Sequence, residues 1–167
     1  MSVQLKLSPE PSADVILLDT NVPEPIIWPV AGGKGGTGKS TLTANIGVGL
    51  ALLGYKVVLV DCDLGGSDLH LFFDQISPER SLSNFLTKEV RSLEEVLLPT
   101  PNANLHLVCG GNDLVGMANL SFMAKAKLLR HIRSLDADYI LIDLGAGSAY
   151  NTIDFFTLSN SGIIVCT

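Results

Sequence analysis

Charged residues are scarce in this chain. They make up 17% of its 167 residues, against roughly 25% in an average soluble domain. Basic residues are not in excess either, since 11 Lys and Arg stand against 17 Asp and Glu and leave a net charge of −6. No overall positive field therefore attracts nucleic acid or anionic lipid, and such a partner would need a local basic patch. The 47% hydrophobic content excludes a disordered or fibrous chain and predicts one globular domain with a large core.

Cysteine and long apolar runs are also lacking. Cys62, Cys109 and Cys166 form no CxxC pair and each falls at the end of an apolar run, so we interpret them as small buried side chains. We therefore expect neither a disulfide nor a metal cluster. No run approaches the roughly 18 apolar residues of a membrane-spanning helix, and the N-terminus has no signal-peptide pattern. These absences predict a cytoplasmic protein.

The chain divides into a leader and one domain. Residues 1–25 contain four prolines and show no sustained periodicity, although the stretch 14–18 could form a short edge element. Over residues 26–167, short apolar runs alternate with segments of helical periodicity, which is typical of a mostly parallel sheet with helices on both faces. The predicted strands are 26–31, 56–60, 105–109, 139–142 and 162–166, and the predicted helices lie within 39–53, 81–96 and 121–135.

A phosphate-binding loop follows the first predicted strand. Residues 33–40 read Gly-Lys-Gly-Gly-Thr-Gly-Lys-Ser and satisfy the pattern GxxxxGK[ST], with a helix predicted directly afterwards. The glycines let backbone N–H groups turn towards an anion, and the helix N-terminus adds its positive end. Lys39 is then expected to contact the β- and γ-phosphates of a nucleotide, and the Ser40 hydroxyl to bind Mg²⁺. The predicted nucleotide-binding residues are Gly33, Lys34, Gly35, Gly36, Thr37, Gly38, Lys39, Ser40 and Thr41.

Three acidic residues follow two other predicted strands. Asp61 and Asp63 come after the run 56–60, and Asp143 comes after 139–142. The carboxyl ends of parallel strands meet at one edge of a sheet, which is the edge that carries the phosphate loop. We therefore expect the three carboxylates to converge near the γ-phosphate and its Mg²⁺.

A second lysine, Lys34, distinguishes this phosphate loop, because the general pattern does not require it. With Lys34, the loop resembles that of the MinD and ParA family of ATPases, whose altered motif reads KGGxGK[ST]; Thr41 follows it here. The two acidic segments continue the resemblance in the same order, as a DxD-like segment and a D-x-x-x-G segment. The stretch after Asp63 looks more like the flagellar-number branch than the plasmid-partition branch. The resemblance covers residues 26–167, and it implies a P-loop NTPase fold.

The resemblance implies a role for each candidate residue. Lys34 would reach the nucleotide of a second subunit, as an arginine finger does. Asp63 would position or deprotonate the attacking water, Asp143 would hold Mg²⁺ through a coordinated water, and Asp61 would order the magnesium shell or the switch backbone. The implied catalytic residues are Lys34, Lys39 and Asp63, and the implied metal site comprises Ser40, Asp61, Asp63 and Asp143.

The function implied by the resemblance is a Mg·ATP-dependent dimerisation switch. Such a homodimer closes on ATP, opens on hydrolysis, and regulates cell division, flagella or partition through a protein partner or the membrane surface. The full-length protein would then be cytoplasmic or peripheral at the membrane. Two alternatives stay open: a small-molecule phosphotransferase or ligase of the dethiobiotin-synthetase type, and a non-hydrolysing scaffold or iron–sulfur carrier. The complete set of acids and the lack of CxxC disfavour the latter, and ATP rather than GTP follows from the resemblance alone.

Two further features concern surfaces. The predicted helix 121–135 carries five basic residues, which are Lys125, Lys127, Arg130, His131 and Arg133. All but Lys125 lie opposite the apolar face of the helix, as the residues of an ordinary solvated face do. An acidic protein partner suits this helix better than DNA, because no aromatic residues are interleaved for stacking on bases.

At the end of the chain, a strand over 162–166 has no helix to cover it. We therefore expect the C-terminal part of the family's domain to be missing and an apolar edge to be exposed there.

Overall fold

The structure, a computed structural model, describes residues 24–63, 66–111, 121–146, 150–157, 159 and 161–166. The edge element expected at 14–18 lies outside the described residues. The strands are β1 (Ile26–Gly32), β2 (Val57–Cys62), β3 (Leu97–Pro99), β4 (Leu105–Val108), β5 (Tyr139–Leu144) and β6 (Ile163–Val165). The α-helices are α1 (Lys39–Leu52), α2 (Leu82–Leu86), α3 (Phe122–Arg133) and α4 (Tyr150–Thr157), and 3₁₀ helices cover Leu69–Phe73 and Glu94–Val96.

The strands form one six-stranded sheet in the order β3-β4-β2-β5-β1-β6. All neighbouring pairs are parallel except β3 and β4, which are antiparallel. The predicted fold class, a mostly parallel sheet with helices on both faces, is confirmed. β3 was not predicted, because three residues ending in Pro99 are too few to show a periodic pattern.

Both faces of the sheet are covered, which explains why its central strands are apolar on both alternations until Asp61 in β2 and Asp143 in β5. One face packs against α1, whose Ala44 and Ala51 join Leu59 and Leu141 in a buried cluster. There α1 approaches β2 closely, since a Cβ atom on Gly47 would lie 2.6 Å from Cδ2 of Leu59. The other face packs against α2, α3 and α4, which contribute side chains to the second cluster. Its helical members include Phe85, Leu128, Ile132 and Phe155.

The start of α2 is fixed to the end of β4. Ser81 caps α2: its side chain accepts a hydrogen bond from the N–H of Ser83, and its own N–H donates to Oδ1 of Asn84 over 2.8 Å. The next N–H, that of Leu82, donates to the carbonyl oxygen of Cys109 over 2.7 Å. This bond holds α2 beside the carboxyl end of the sheet.

The edge of the sheet at β6 is exposed, as expected from the final apolar run. Ile164 is 67% exposed, and Cys166 is also exposed. The expectation of a buried thiol is therefore wrong for Cys166, because the strand before it lies at the edge of the sheet. Cys109 is buried. This burial raises the pKa of its thiol to about 12, and the negative charge of the nearby Asp61 adds to the effect. Within the described ranges, no helix is both long and apolar enough to cross a membrane.

Candidate nucleotide site

The loop between β1 and α1 has the backbone geometry of an anion site. Gly36 and Gly38 have φ angles of 72° and 86°, in the left-handed region that favours glycine. Gly38 is also the N-cap of α1, directly before Lys39, and it offers no side-chain cap. The first turn of α1 holds no acidic residue that could neutralise the N–H groups there. These donors and the positive end of the helix are therefore available to a phosphate.

Lys39 is only 7% exposed and lies against the end of β1. A Cβ atom on Gly32 would be 3.3 Å from its Cδ, 2.8 Å from Oγ1 of Thr37 and 3.0 Å from the carbonyl oxygen of Val165. Only glycine at position 32 leaves room for these contacts. Sequence analysis did not single out Gly32, for which the only signal is that it directly precedes the motif.

Asp143 occupies the middle of the site. In the strand register it lies between Val30 of β1 and Asp61 of β2, and it is 1% exposed. Neither of its carboxylate oxygens has a hydrogen-bond partner among the described residues. Burial raises the pKa of Asp143 to about 7, an effect that the nearby Ser40 hydroxyl and Lys39 ammonium oppose and that Asp61 reinforces. An unpaired buried carboxylate beside a hydroxyl is the kind of group that a hard cation can satisfy.

Asp61 anchors the loop that follows β2. Its Oδ2 accepts hydrogen bonds from the Ser67 hydroxyl over 2.7 Å and from the Leu69 N–H over 3.1 Å. Its Oδ1 accepts from the N–H of Asp63 over 3.1 Å. Burial raises the pKa of Asp61, and these hydrogen bonds oppose the rise. Of the two roles expected for Asp61, the geometry favours ordering of the loop backbone over direct contact with a metal.

The carboxylate of Asp63 approaches the loop after β5. A Cβ atom on Gly145 would lie 3.0 Å from Oδ1 of Asp63, so the side chain rests against the backbone two residues after Asp143. Asp63 is half-buried, whereas Lys34 is exposed on the phosphate loop. The structure thus brings the acids and Lys39 to one edge of the sheet and leaves Lys34 facing outwards.

Magnesium fits this donor set only together with a nucleotide. Within the part of the chain that the structure describes, no three His, Cys, Asp or Glu residues are grouped to hold a metal ion. Mg²⁺ in nucleotide sites is held by one or two protein groups, and phosphate oxygens and waters complete its shell. Ser40 and Asp143 are two such groups. Their placement suits a metal that arrives with a nucleotide.

Comparison with known proteins shows the family. Residues 28–152 match the CobQ/CobB/MinD/ParA nucleotide binding domain, and the chain belongs to this family. It is 29% identical over 138 residues to the antiactivator FleN of Pseudomonas aeruginosa, covering 81% of this chain and 48% of FleN. It is 35% identical over 130 residues to a putative septum site-determining protein MinD of Guillardia theta, covering 71% of this chain and 44% of that protein.

A solved structure agrees with this assignment. The septum site-determining protein MinD of Pyrococcus horikoshii, complexed with Mg-ADP, matches with a TM-score of 0.73 and 28% identity. The match covers 84% of this chain and 57% of that one. The chain spans about half the length of the curated relatives it matches.

Replacing Asp143 by asparagine should stabilise the protein in the absence of nucleotide and metal. Because the pKa of Asp143 is raised on folding, the native state keeps a proton that the unfolded state loses as the pH rises from about 4 to 7. The wild type therefore loses stability over that interval. Above pH 7 the variant should unfold with a free energy about 1–3 kcal/mol higher, and the difference should vanish towards pH 4. Urea unfolding of both proteins at several pH values measures this difference in the free energy of unfolding.

The matched control is Asp136→Asn, because Asp136 is an exposed carboxylate paired with Lys56 on the surface. This change should shift stability by less than about 1 kcal/mol. A wild type more stable than the Asp143 variant at pH 8 would contradict the assignment of an unpaired buried carboxylate.

Proposed function

We propose that the chain is the nucleotide-binding part of a Mg·ATP-dependent dimerisation switch. One observation carries this proposal: two lysines of the same loop lie in different environments. Lys39 is buried against its own strand, whereas Lys34 is exposed at the edge where the nucleotide would bind. A lysine that acts only on the nucleotide bound by its own chain is expected to be buried in that chain's site, as Lys39 is. The exposed Lys34 is available to the nucleotide of a second copy.

The chemistry proposed is hydrolysis of the γ-phosphate. Lys39 and the first N–H groups of α1 bind and orient the phosphates. Ser40 and Asp143 would hold Mg²⁺, and the metal, when bound with the nucleotide, would neutralise charge on the transferring group. Asp63 positions the attacking water and accepts its proton, and Asp61 keeps the backbone of Asp63 in place.

The switch would act through the difference between its two states. A closed ATP dimer and open monomers present different surfaces. A partner that binds one of these states more tightly is therefore bound or released according to whether ATP is present or hydrolysed. The relatives bear the names of an antiactivator, FleN, and of a putative septum site-determining protein, MinD, which supports a regulatory protein or the membrane surface as the partner. A cytoplasmic location, peripheral at the membrane, belongs to the same proposal. These relatives do not favour the phosphotransferase or ligase alternative.

Mixing two inactive variants tests the action of Lys34 on a second copy. Lys34→Ala alone and Asp63→Ala alone should each fail to hydrolyse ATP. A mixed dimer should contain one complete site, which combines Asp63 of one chain with Lys34 of the other. Per mixed dimer, the rate should be about half that of a wild-type dimer, because one of its two sites is complete.

The control mixes Asp63→Ala with Asp63→Asn, which share their defect and should recover nothing. Mixed dimers are verified by mass spectrometry of differently sized tags. If Lys34→Ala and Asp63→Ala form mixed dimers without recovered hydrolysis, Lys34 acts within its own subunit and the proposal is wrong.

A further inference from the structure

An open groove of about 450 Å³ lies between α2 and α3. Its floor is apolar, with Phe85 and Leu86 on one side and Met123 and two alanines on the other. Met123 is 76% exposed, so its apolar side chain is open to an occupant of the groove. None of the lining residues belongs to the phosphate loop or carries one of the acids of the nucleotide site. The groove is therefore a separate surface.

The rim of the groove is positively charged. Lys88, Lys127 and Arg130 line it, and no acidic residue is among the lining side chains. The Lys127 ammonium lies 5.5 Å from the centre of the Phe85 ring, in a cation–π contact at the base of the groove. In a chain of net charge −6, three cations around an apolar floor call for an occupant that is both apolar and acidic.

We propose that residues 14–19 of the chain's own leader occupy this groove. The segment reads Asp-Val-Ile-Leu-Leu-Asp, four apolar side chains between two carboxylates. The apolar side chains match the floor, and Asp14 and Asp19 match the cations of the rim. The whole of residues 1–25 contains four acidic residues and one lysine, so its charge is opposite to that of the groove.

The leader is long enough to reach the groove. It joins β1 at Ile26, whose N–H donates to the carbonyl oxygen of Asp138 over 2.9 Å. Asp138 lies five residues after α3 ends, so the leader meets the domain near that end of the helix. Asp19 lies seven residues before Ile26, and an extended chain of that length reaches about 23 Å. Asp14 lies twelve residues before Ile26, which allows about 40 Å. The residues of α3 that line the groove, from Met123 to Arg130, lie ten to three residues before the end of that helix, which is about 15 to 5 Å along its axis.

Photo-crosslinking in the full chain tests the proposal. Benzoylphenylalanine replaces Ile16, in the middle of the apolar stretch, and mass spectrometry locates the photoproducts. We expect them within residues 85–88 and 123–130 of the same chain. Asp14→Lys combined with Asp19→Lys should lower the yield about tenfold, because each exposed ion pair contributes up to a few-fold to an equilibrium. Lys127→Glu combined with Arg130→Glu should do the same, and all four changes together should restore the yield.

The matched controls reverse charges outside the groove. Glu24→Lys and Arg91→Glu should leave the crosslinking yield unchanged. The proposal is overturned if the crosslinks fall outside α2 and α3, or if the four changes together fail to restore the yield. Photoproducts that join isotopically light and heavy chains would assign the groove to a second copy instead. A groove free of crosslinks in a chain that binds phosphatidylglycerol vesicles through Lys127 and Arg130 would assign it to a lipid surface.

Discussion

Replacing Lys39 by alanine is expected to lower the affinity for Mg·ATP at least about 100-fold. Lys39 is the buried cation of the site, and two acids, Asp61 and Asp143, lie on the neighbouring strands. Without the lysine, the phosphates would meet these carboxylates with no side-chain charge to oppose them. Hydrogen bonds to charged groups contribute about 1.5–3 kcal/mol each, and the lysine is expected to make more than one.

Isothermal titration calorimetry measures this loss, and Lys34→Ala is its control. Both variants remove one lysine from the same loop, but Lys34 is exposed and should leave binding to the monomer nearly unchanged. Circular dichroism verifies that both variants fold. Equal affinity of the Lys39 variant and the wild type would refute the assignment of the phosphate loop.

Replacing Asp63 by alanine is expected to slow hydrolysis by about 10²- to 10⁴-fold while leaving nucleotide binding intact. A residue that acts on the attacking water contributes in the transition state, so its loss lowers the rate constant and not the affinity. The substitution should also preserve the fold of the loop. Asp61 holds this position through the backbone N–H of Asp63, which alanine retains.

Single-turnover hydrolysis at saturating ATP separates the chemical step from binding. The control is Asp68→Ala, which removes an exposed carboxylate from the same loop and should change the rate by less than about tenfold. A normal single-turnover rate in the Asp63 variant would show that another group activates the water.

The sequence predicts the fold where burial is uniform. Apart from Asp61 and Asp143 near their carboxyl ends, β2 and β5 are apolar because helices cover both faces of the sheet, and such runs are visible in the sequence without structural information. α4 was missed because eight residues are too few to test a helical period. The final strand was predicted, but its edge position left Cys166 exposed.

The candidate site is predictable only where its chemistry lies in contiguous motifs. The phosphate loop and the acids at the carboxyl ends of β2 and β5 were predicted because phosphate and metal binding require particular residue types in a fixed order. The hydrogen bond of Ser67 to Asp61 and the approach of Asp63 to Gly145 were not predicted, since both depend on contacts between segments. Ser67 bonds to Asp61 six residues earlier, and Gly145 leaves space for Asp63 from another strand. Neither contact produces a sequence pattern.

The mass of the protein in solution with Mg·ATP tests the dimerisation switch most directly. The Asp63→Ala variant holds the nucleotide unhydrolysed, and Ile164→Lys prevents pairing through the exposed edge at β6. By light scattering, we expect this double variant to have the chain mass of 17.7 kDa without nucleotide and twice that mass with Mg·ATP. Adding Lys34→Ala should return the mass to 17.7 kDa. An unchanged monomer mass, with calorimetry showing the nucleotide site filled, would contradict the switch.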